Sequence, residues 1–513
     1  MPVAVLALAA LAACAGSGGQ DPDASRPPVV VLVLDEFPAD ALLMPGGRID
    51  PARFPGFARL AAVSSWFPNG HTVYDSTFKA VPSILDARLP RPGTHADVRS
   101  HRPNAFHWLH GLGYRVLGVE TASALCPPRI CPGAGTRRPG ILSQLAGGGR
   151  PARLRRWIGS IRPRGQPAFY FHHALLPHQP WLYLPSGRRD RAPGNDPVRG
   201  IGKPPGFDDV GLTEHNQLRF LLQVGFVDRQ IDMLLRRLRR TGLLEETLLI
   251  VTADHGFSFD RGREVESRRL VSGATVEEIA PVPLFVKAPG QTRGTVNAAL
   301  ARNIDVVPTI ADLLGEEVPW RHDGRSAFSA ATRRRSGVRL ATRDFSDEVR
   351  VGIRDLLRRR EEVRRERSRL FGTGPESVRR FGDPWRLAYR IGPNARLLDR
   401  PVPALGAPTG ERVRLGVPGP AEAAAGGALW PARLTGRIER VAPGHVRDLA
   451  LAVNGTVRAV GRSFHLWRPA RELFSFVVPE DALGSGRNEL LVLEVPGGGQ
   501  PLRPLAETAV SAP

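Results

Sequence analysis

Short apolar runs alternate with longer helical patterns through the first 330 or so residues. The run Val29–Leu34 is continuous and rich in valine, as expected for a strand buried on both faces. Comparable runs recur at 114–119, 168–171, 248–252 and 282–286. The segment Leu218–Arg240 instead repeats its apolar residues at helical spacing. This alternation predicts an α/β sandwich with a mainly parallel central sheet, whose ligands would lie beyond the carboxyl ends of the strands.

The pattern changes beyond Pro401, where short strand-like segments are separated by turn residues. Asn454-Gly455 lies between two such segments and predicts a β-hairpin with a tight turn. Further strands are expected at Phe474–Val478 and Glu489–Val495. The C-terminal part, residues 401–513, is therefore predicted to be a small β-sandwich.

A charge-dense segment connects the two parts of the chain. From Arg333 to Arg369 several glutamates are interspersed among arginines, which predicts a solvated helix with i,i+4 ion pairs. Contact with an anionic surface is the alternative. The predicted organisation is thus an α/β domain at 29–330, a charged helical connector at 331–400 and the β-sandwich.

The composition is that of a globular protein with a strongly basic balance. The 513 residues include 71 Lys+Arg against 50 Asp+Glu, a formal net charge of +21, and all but three of the cations are arginine. With 55 Gly and 48 Pro, this skew resembles a coding bias spread along the chain. Because no nucleic-acid-binding motif accompanies the charge, we predict no nucleic-acid partner.

The start of the chain predicts an extracytoplasmic protein. Met1–Ala13 is almost wholly apolar, and Leu11-Ala-Ala-Cys14 resembles a bacterial lipoprotein cleavage box, so 1–28 would be a signal and linker with a membrane anchor at Cys14. The tail of a longer membrane segment is the alternative. Cys126 and Cys131 fit a small disulfide loop in an oxidising compartment better than a metal site, since further ligands of that kind are absent nearby.

Acidic and imidazole groups directly follow two strand-like runs. Asp35 and Glu36 end the first run, and Asp254-His255 follows the run that ends at Thr252. A parallel sheet presents such residues to one crevice. Carboxylate oxygens and a neutral imidazole nitrogen are suitable ligands for a divalent cation, so a metal site is predicted here.

Two further segments could supply the groups that react. Ser76-Thr77 precedes a possible helix at 78–85, where a hydroxyl is either a plain helix cap or a nucleophile. His172, His173 and His178 follow another strand, and one of these imidazoles could protonate a leaving oxygen or hold an anion.

At this point the chain resembles the sulfatase-like branch of the alkaline phosphatase superfamily, over roughly 28–320. The matching pieces occur in family order; they are Asp35, Val81-Pro-Ser-Ile-Leu85, His173–His178, Thr252-Ala-Asp-His-Gly256, Pro283-Leu-Phe-Val-Lys-Ala-Pro-Gly290 and Asn303-Ile-Asp-Val-Val-Pro-Thr-Ile-Ala-Asp-Leu-Leu-Gly315. The resemblance implies an alkaline-phosphatase-like fold. It also implies that Asp35, the nucleophile, Asp254 and His255 bind one metal ion.

The nucleophile segment distinguishes between branches of that family. True sulfatases convert a Cys or Ser in Cys/Ser-X-Pro-X-Arg to formylglycine; aligning Pro82 with that proline puts Ala80 at the modified position and Ile84 at the arginine. Thr77 instead resembles the threonine of phosphoethanolamine and phosphoglycerol transferases, which form a phosphothreonine intermediate. Ser76 and Thr72 are the alternative hydroxyls.

The segment after Gly256 also departs from those transferases, which usually carry another histidine there. A second metal site is therefore not expected, and Arg261 or Arg263 is a candidate for the missing positive charge.

These observations together predict an extracytoplasmic, metal-dependent hydrolase or transferase acting on a phosphate or sulfate ester of an envelope lipid or polysaccharide. Catalysis is assigned to Thr77, His178 and His173. The metal ligands would be Asp35, Glu36, Thr77, Asp254 and His255. The sequence does not distinguish Mn, Zn, Mg and Ca. The competing hypothesis is an inactive sulfatase-like surface lipoprotein that binds anionic envelope polymers.

Overall fold

The structure is a computed structural model. It describes residues 26–131, 144–145, 149–190, 209–260, 269–415, 429–430, 432–439, 441–466, 471–486 and 488–507. The predicted anchor at Cys14 and the candidate cations Arg261 and Arg263 lie outside these residues. Among the described helices, none combines the length and hydropathy needed to cross a bilayer.

A seven-stranded, mostly parallel sheet forms the centre of the α/β part. Strands β1 to β8 span Val29–Asp35, Ser65–Trp66, Arg115–Val119, Ala168–Pro177, Arg189–Asp190, Leu248–Ala253, Leu284–Lys287 and Thr295–Val296. All but β5 belong to this sheet, in the order β3-β4-β1-β6-β7-β2-β8. β1 pairs in parallel with β4 and β6, whereas β7 runs antiparallel to both β6 and β2. The predicted α/β sandwich with a mainly parallel sheet is confirmed.

Helices cover both faces of this sheet. They are α1 (Pro55–Ala61), α2 (Thr77–Asp86), α3 (Ala105–Gly111), α4 (Arg150–Ser160), α5 (Val210–Arg240), α6 (Val276–Ile279) and α7 (Val306–Leu314). Alternate residues of β1 enter two different cores. Val30, Leu32 and Leu34 pack into the core that includes α5. Val29, Val31 and Val33 pack into the core that includes α2, α3 and α7. Burial on both faces explains the continuous apolar run.

The charged connector differs in part from its prediction. It contains α8 (Ala330–Arg333), a hairpin of β9 (Gly337–Ala341) and β10 (Glu348–Gly352), then α9 (Ile353–Phe371) and α10 (Gly374–Phe381). The expected helix therefore begins only at Ile353. Its exposed side carries the expected ion pairs, including Arg358 with Glu362. It is not solvated all round, however, because Arg360 and Arg364 are buried against the α/β domain.

The C-terminal part consists of two facing sheets, as predicted. Strands β11 to β20 span Arg412–Leu415, Leu429–Trp430, Arg433–Glu439, Asp448–Val453, Thr456–Arg462, Phe464–His465, Glu472–Val477, Leu490–Glu494, Arg503–Pro504 and Ala506–Glu507. One sheet has the order β16-β17-β13-β11-β20 and the other β15-β14-β18-β19. Asn454 and Gly455 both adopt positive φ in the β14–β15 turn, confirming the predicted hairpin. The short strand β12 pairs with β5.

Short 3-10 helices complete the described elements, at Ala39–Leu42, Asn303–Asp305, Arg386–Tyr389, Ala395–Leu397 and Glu480–Ala482. Cys126 and Cys131 form a disulfide bond, which confirms that pairing.

Candidate active site

Two buried carboxylates meet where neighbouring parallel strands end. Asp35 is the last residue of β1, and Asp254 follows β6 directly. Because the two strands pair in parallel, their carboxyl ends lie at the same edge of the sheet, and the Asp254 amide donates to the Leu34 carbonyl at 3.0 Å. The pairing of β1 with β4 shifts register between Leu34 and Asp35, an irregularity of the kind found beside active sites. Both aspartates are fully buried.

The Thr77 hydroxyl lies between these carboxylates at the first residue of α2. Its Oγ1 donates to Asp254 Oδ2 at 2.7 Å and lies 3.4 Å from Asp35 Oδ1 and 3.3 Å from His255 Nε2. The hydroxyl therefore faces side chains from both strand ends. The helix itself begins after Ser76, whose side chain makes no capping bond within the described chain.

The alternative hydroxyl at Thr72 has other partners. Its Oγ1 donates to the Tyr74 carbonyl at 2.8 Å and accepts from Asn303 Nδ2 at 3.0 Å. The same amide nitrogen donates to the Asp254 carbonyl at 3.1 Å, so Asn303 braces the loop behind the metal-site candidate. Thr72 is thus occupied by a structural network.

Two histidines each direct a bare ring nitrogen toward the carboxylates. His255 Nδ1 lies 2.9 Å from the Gly256 carbonyl and donates to it, which leaves Nε2 as a lone-pair donor. Thr121 donates its hydroxyl proton to the His173 carbonyl at 3.0 Å, so its oxygen accepts from His173 Nδ1 at 2.7 Å. Such contacts to the far nitrogen set the tautomer and orientation of metal-ligating histidines.

The resulting cluster fits a divalent cation. Asp35, His173 and Asp254 offer ligand atoms that all lie within 4.8 Å of one another. His173 Nε2 is 3.8 Å from both Asp35 Oδ2 and Asp254 Oδ2. Among the described residues, Asp35 Oδ2 and His173 Nε2 are buried without a hydrogen-bond partner. Burial, followed by repulsion from Asp254 and Glu36, raises the pKa of Asp35 well above its ordinary value. A bound cation would satisfy both orphaned atoms and offset the repulsion.

Glu36 has different neighbours from those predicted. Its backbone adopts a φ of 58°, and its Oε1 lies 2.5 Å from Arg269 Nε and 3.5 Å from His178 Nε2. The structure thus places Glu36 in an ion pair beside the three-residue ligand cluster. His173, predicted to be catalytic, has its Nε2 among the three atoms that could hold a metal ion.

His178 directly follows β4 and contacts both Glu36 and Arg269. Its Nδ1 is 2.5 Å from the Gln179 carbonyl, and Arg269 Nη2 is 2.9 Å from its Nε2. Burial lowers the pKa of His178, and Glu36 partly opposes that shift. His172 points elsewhere, with Nδ1 3.0 Å from the Val119 carbonyl and its ring 5.4 Å from that of Trp157.

Sequence reasoning missed Arg269, Thr121 and Asn303. Thr121 lies two residues after the end of β3, so its place just beyond a strand was a usable signal. Asn303 opens one of the motifs that carry the family resemblance, which was a usable signal. Arg269 carried no local signal, because its approach to Glu36 depends on the tertiary path of the chain.

Comparisons with known proteins show similarity to sulfatases over part of the chain. Residues 152–316 match the sulfatase family model. It is 32% identical over 123 residues to choline-sulfatase of Rhizobium meliloti (strain 1021), covering 22% of this chain and 23% of that protein. It is 32% identical over 108 residues to N-acetylglucosamine-6-O-sulfatase of Bacteroides thetaiotaomicron, covering 21% of this chain and 18% of that protein. The sulfatase-like chain thus spans about a fifth of the length of these relatives.

Two solved structures show a weak similarity to this chain. Phosphonate monoester hydrolase SpPMH from Silicibacter pomeroyi matches with a TM-score of 0.41 at 21% identity, over 61% of this chain and 79% of that one. Lipoteichoic acid synthase LtaP from Listeria monocytogenes matches with a TM-score of 0.42 at 13% identity, over 67% and 91%. The resemblance to the sulfatase-like branch of the alkaline phosphatase superfamily is confirmed.

Proposed function

We propose that this protein is an extracytoplasmic, metal-dependent hydrolase or transferase that cleaves a phosphate or sulfate ester through Thr77. The observation that carries the proposal is the position of Thr77 Oγ1, 2.7 Å from Asp254 Oδ2 and 3.4 Å from Asp35 Oδ1. A hydroxyl held between buried carboxylates and a bare imidazole nitrogen is a site for nucleophilic attack assisted by a cation.

The absence of a convertible nucleophile supports an alkoxide mechanism over the formylglycine one. Formylglycine arises from Cys or Ser, and the residue beside the carboxylates is a threonine. Ala80, at the position that the motif alignment assigns to formylglycine, is a buried alanine in the next turn of α2. The aldehyde hydrate used by true sulfatases therefore has no precursor at either position.

The ligand cluster of Asp35, Asp254 and His173, with Thr77 and His255, would hold the metal ion. When bound, a divalent ion lowers the pKa of an adjacent hydroxyl and compensates the charge of the carboxylates.

The side chains of this site account for one round of ester cleavage. Thr77 passes its proton to Asp254 and attacks the phosphorus or sulfur, so that the Oγ1–P or Oγ1–S bond forms as the bond to the leaving oxygen breaks. His178, in its protonated form, donates a proton to that oxygen. An anionic ester beside His178 favours the protonated form. Water or an acceptor hydroxyl then attacks the phosphorus or sulfur and gives its proton to His178, as the bond to Thr77 Oγ1 breaks and Thr77 takes its proton back from Asp254.

Two positive groups can stabilise the charge that builds on the non-bridging oxygens during attack. The N-terminal end of α2 carries a partial positive charge beside Thr77. Arg269 contributes a guanidinium on the side of Glu36 and His178. It supplies the positive charge for which Arg261 and Arg263 were the candidates in sequence.

The test combines metal analysis with an activity screen. Protein purified without chelator would be analysed for Mn, Zn, Mg and Ca, then assayed on aryl phosphate, phosphodiester and aryl sulfate esters with each ion added. We expect bound metal, and turnover of at least one ester class by wild type and Thr72→Ala but not by Thr77→Ala. A threonine peptide carrying the transferred group should be detected by mass spectrometry. If the purified protein contains no metal and turns over none of these esters, the result would favour the inactive, polymer-binding lipoprotein.

Cell fractionation tests the proposed location and partner. An envelope lipid or polysaccharide substrate requires the protein outside the cytoplasm, and the Cys126–Cys131 disulfide supports an oxidising compartment. Radiolabelled palmitate on wild type, but not on Cys14→Ala, would establish the lipid anchor.

A further inference from the structure

A buried aspartate two residues before the nucleophile links three segments of the chain. Asp75 is fully buried, and its Oδ2 accepts from the Val271 amide at 2.8 Å. Its Oδ1 accepts from Arg343 Nε at 3.1 Å, and its backbone carbonyl accepts from Arg343 Nη2 at 2.6 Å. The chain leading into α2 is thus joined to residue 271 and to the tip of the β9–β10 hairpin.

The same arginine also holds the segment that carries Arg269. Arg343 Nη2 donates to the Arg269 carbonyl at 3.2 Å. The Arg269 side chain in turn reaches Glu36 and His178. The Arg343 guanidinium therefore connects the backbone just before Thr77 with the backbone of Arg269. Its rigid fork of donors suits such simultaneous contacts.

The hairpin tip is held in place by a second set of contacts. The Tyr74 hydroxyl donates to the Arg343 carbonyl at 2.5 Å, and the Tyr74 ring stacks on Phe345 with centroids 5.1 Å apart. Phe345 has a φ of 61°, a conformation that is unfavourable for a bulky residue and persists only where its surroundings enforce it. The tip lies outside the family match at residues 152–316.

We propose that Arg343 is a positioning residue that fixes Thr77 and Arg269 relative to each other across the active site. The inference rests on the proposed function, because it assigns Arg343 to the same site. Misplacement of a reacting group by about 1 Å can cost 10²-fold in rate, so loss of this link should affect turnover without removing any reacting group.

The experiment compares Arg343→Ala with Arg343→Lys and with the control Arg339→Ala. Arg339 lies on the same hairpin but is exposed and pairs with Glu348. We expect Arg343→Ala to lower kcat/KM about 10- to 100-fold, mainly through kcat, with metal content unchanged. Arg343→Lys should recover part of the loss, because it restores charge without the fork. Arg339→Ala should stay within twofold of wild type.

A second readout makes the test independent of turnover. In hydrogen exchange, Arg343→Ala should speed exchange both at residues 75–78 and at 269–271, whereas Arg339→Ala should change neither segment. A purely local role would loosen only the hairpin tip. Unchanged exchange at 75–78 in folded Arg343→Ala or Arg343→Lys would overturn the proposal.

The two hypotheses fail in different ways. If wild type shows no turnover, the proposed function fails, yet coupled exchange at the two segments would still support the positioning role. If wild type is active and Arg343→Ala keeps both kcat/KM and exchange within twofold, only the positioning role is lost. Should Arg343→Ala not fold, Arg343→Lys decides by the same criteria.

Discussion

Two sets of buried carboxylates, close together in the chain, are treated in opposite ways by the fold. Asp40 accepts from Arg360 Nε at 2.7 Å and from Arg364 Nη1 at 2.6 Å, both from helix α9. These guanidiniums outweigh burial and lower the pKa of Asp40. Asp35 instead faces Asp254 and Glu36, and its pKa is raised. Among the described residues, Asp40 has two arginines in direct contact, whereas Asp35 receives only the more distant charges of Arg269 and Arg150.

This difference separates a structural site from a functional one. The buried ion pair at Asp40 has further hydrogen bonds, because Arg360 also donates to Asn69 Oδ1 and to the Pro68 carbonyl. The ligand cluster of Asp35, His173 and Asp254 instead has two buried polar atoms without a hydrogen-bond partner among the described residues, Asp35 Oδ2 and His173 Nε2, and such atoms call for an explanation such as a bound ion or water. A cation of the appropriate size is the simplest occupant.

The largest expected effect is on catalysis by Thr77, which lies beside the ligand cluster. Thr77→Ala should lower kcat by at least about 10³-fold, equivalent to roughly 4 kcal/mol, while fold and metal content stay nearly intact. Steady-state kinetics and metal analysis measure the two properties. Thr72→Ala, which alters a nearby buried hydroxyl, is the control. If Thr77→Ala kept full activity and the transferred group were found on Ser76 or Thr72, that residue would be the nucleophile instead.

The second effect is on stability in the Asp40 cluster. Arg360→Ala leaves a buried carboxylate with one partner fewer and should lower the free energy of unfolding by about 3–5 kcal/mol. Arg358→Ala on the same helix removes exposed ion pairs and should cost less than about 1 kcal/mol. Denaturant titration compares the two variants. If both variants lost the same free energy of unfolding, the buried ion pair of Arg360 would contribute no more to stability than the exposed ion pairs of Arg358.

The third effect is that of a cation on stability. Added divalent metal should stabilise the wild type by about 2.7 kcal/mol at 100 times its dissociation constant, because it binds only the folded cluster. Asp35→Asn should lose most of this shift, whereas Arg358→Ala should keep it. Thermal unfolding with and without metal provides the measurement. A full metal shift in Asp35→Asn would exclude Asp35 from the binding site.

The smallest effect is a change in the pH dependence of stability. Because the folded pKa of Asp40 is lowered, its ion pairs stabilise the protein above the unfolded pKa and lose that contribution as pH falls through the folded value. The stability difference between wild type and Asp40→Asn should therefore narrow from pH 6 toward acid. Unfolding titrations across this range test it, and a constant difference would argue against charge as its source.

Some features of the site could be predicted because they follow from local pattern and sheet geometry. Val29–Leu34 is apolar at every position, as a strand covered on both faces must be, so Asp35 had to lie at its carboxyl end. The same reasoning applied to Asp254, and parallel pairing brought the two ends together. Thr77 begins a helix whose pattern was visible in sequence, and the structure places its hydroxyl beside both carboxylates.

Other features depended on contacts between distant segments. The Glu36 carboxylate pairs with Arg269, and nothing near either residue distinguishes that pair from the many other arginines of the chain. Arg360 has the same local surroundings as exposed arginines of α9, yet its side chain is buried on Asp40.

The sequence by itself therefore determined the order of strands and helices and the residue types at the strand ends, because periodicity and turn chemistry act over a few neighbouring residues. Only the tertiary structure decided which carboxylates received an arginine partner and which way the His173 ring faces. Those choices depend on the packing of side chains that are far apart along the chain, where similar residues compete for the same partner.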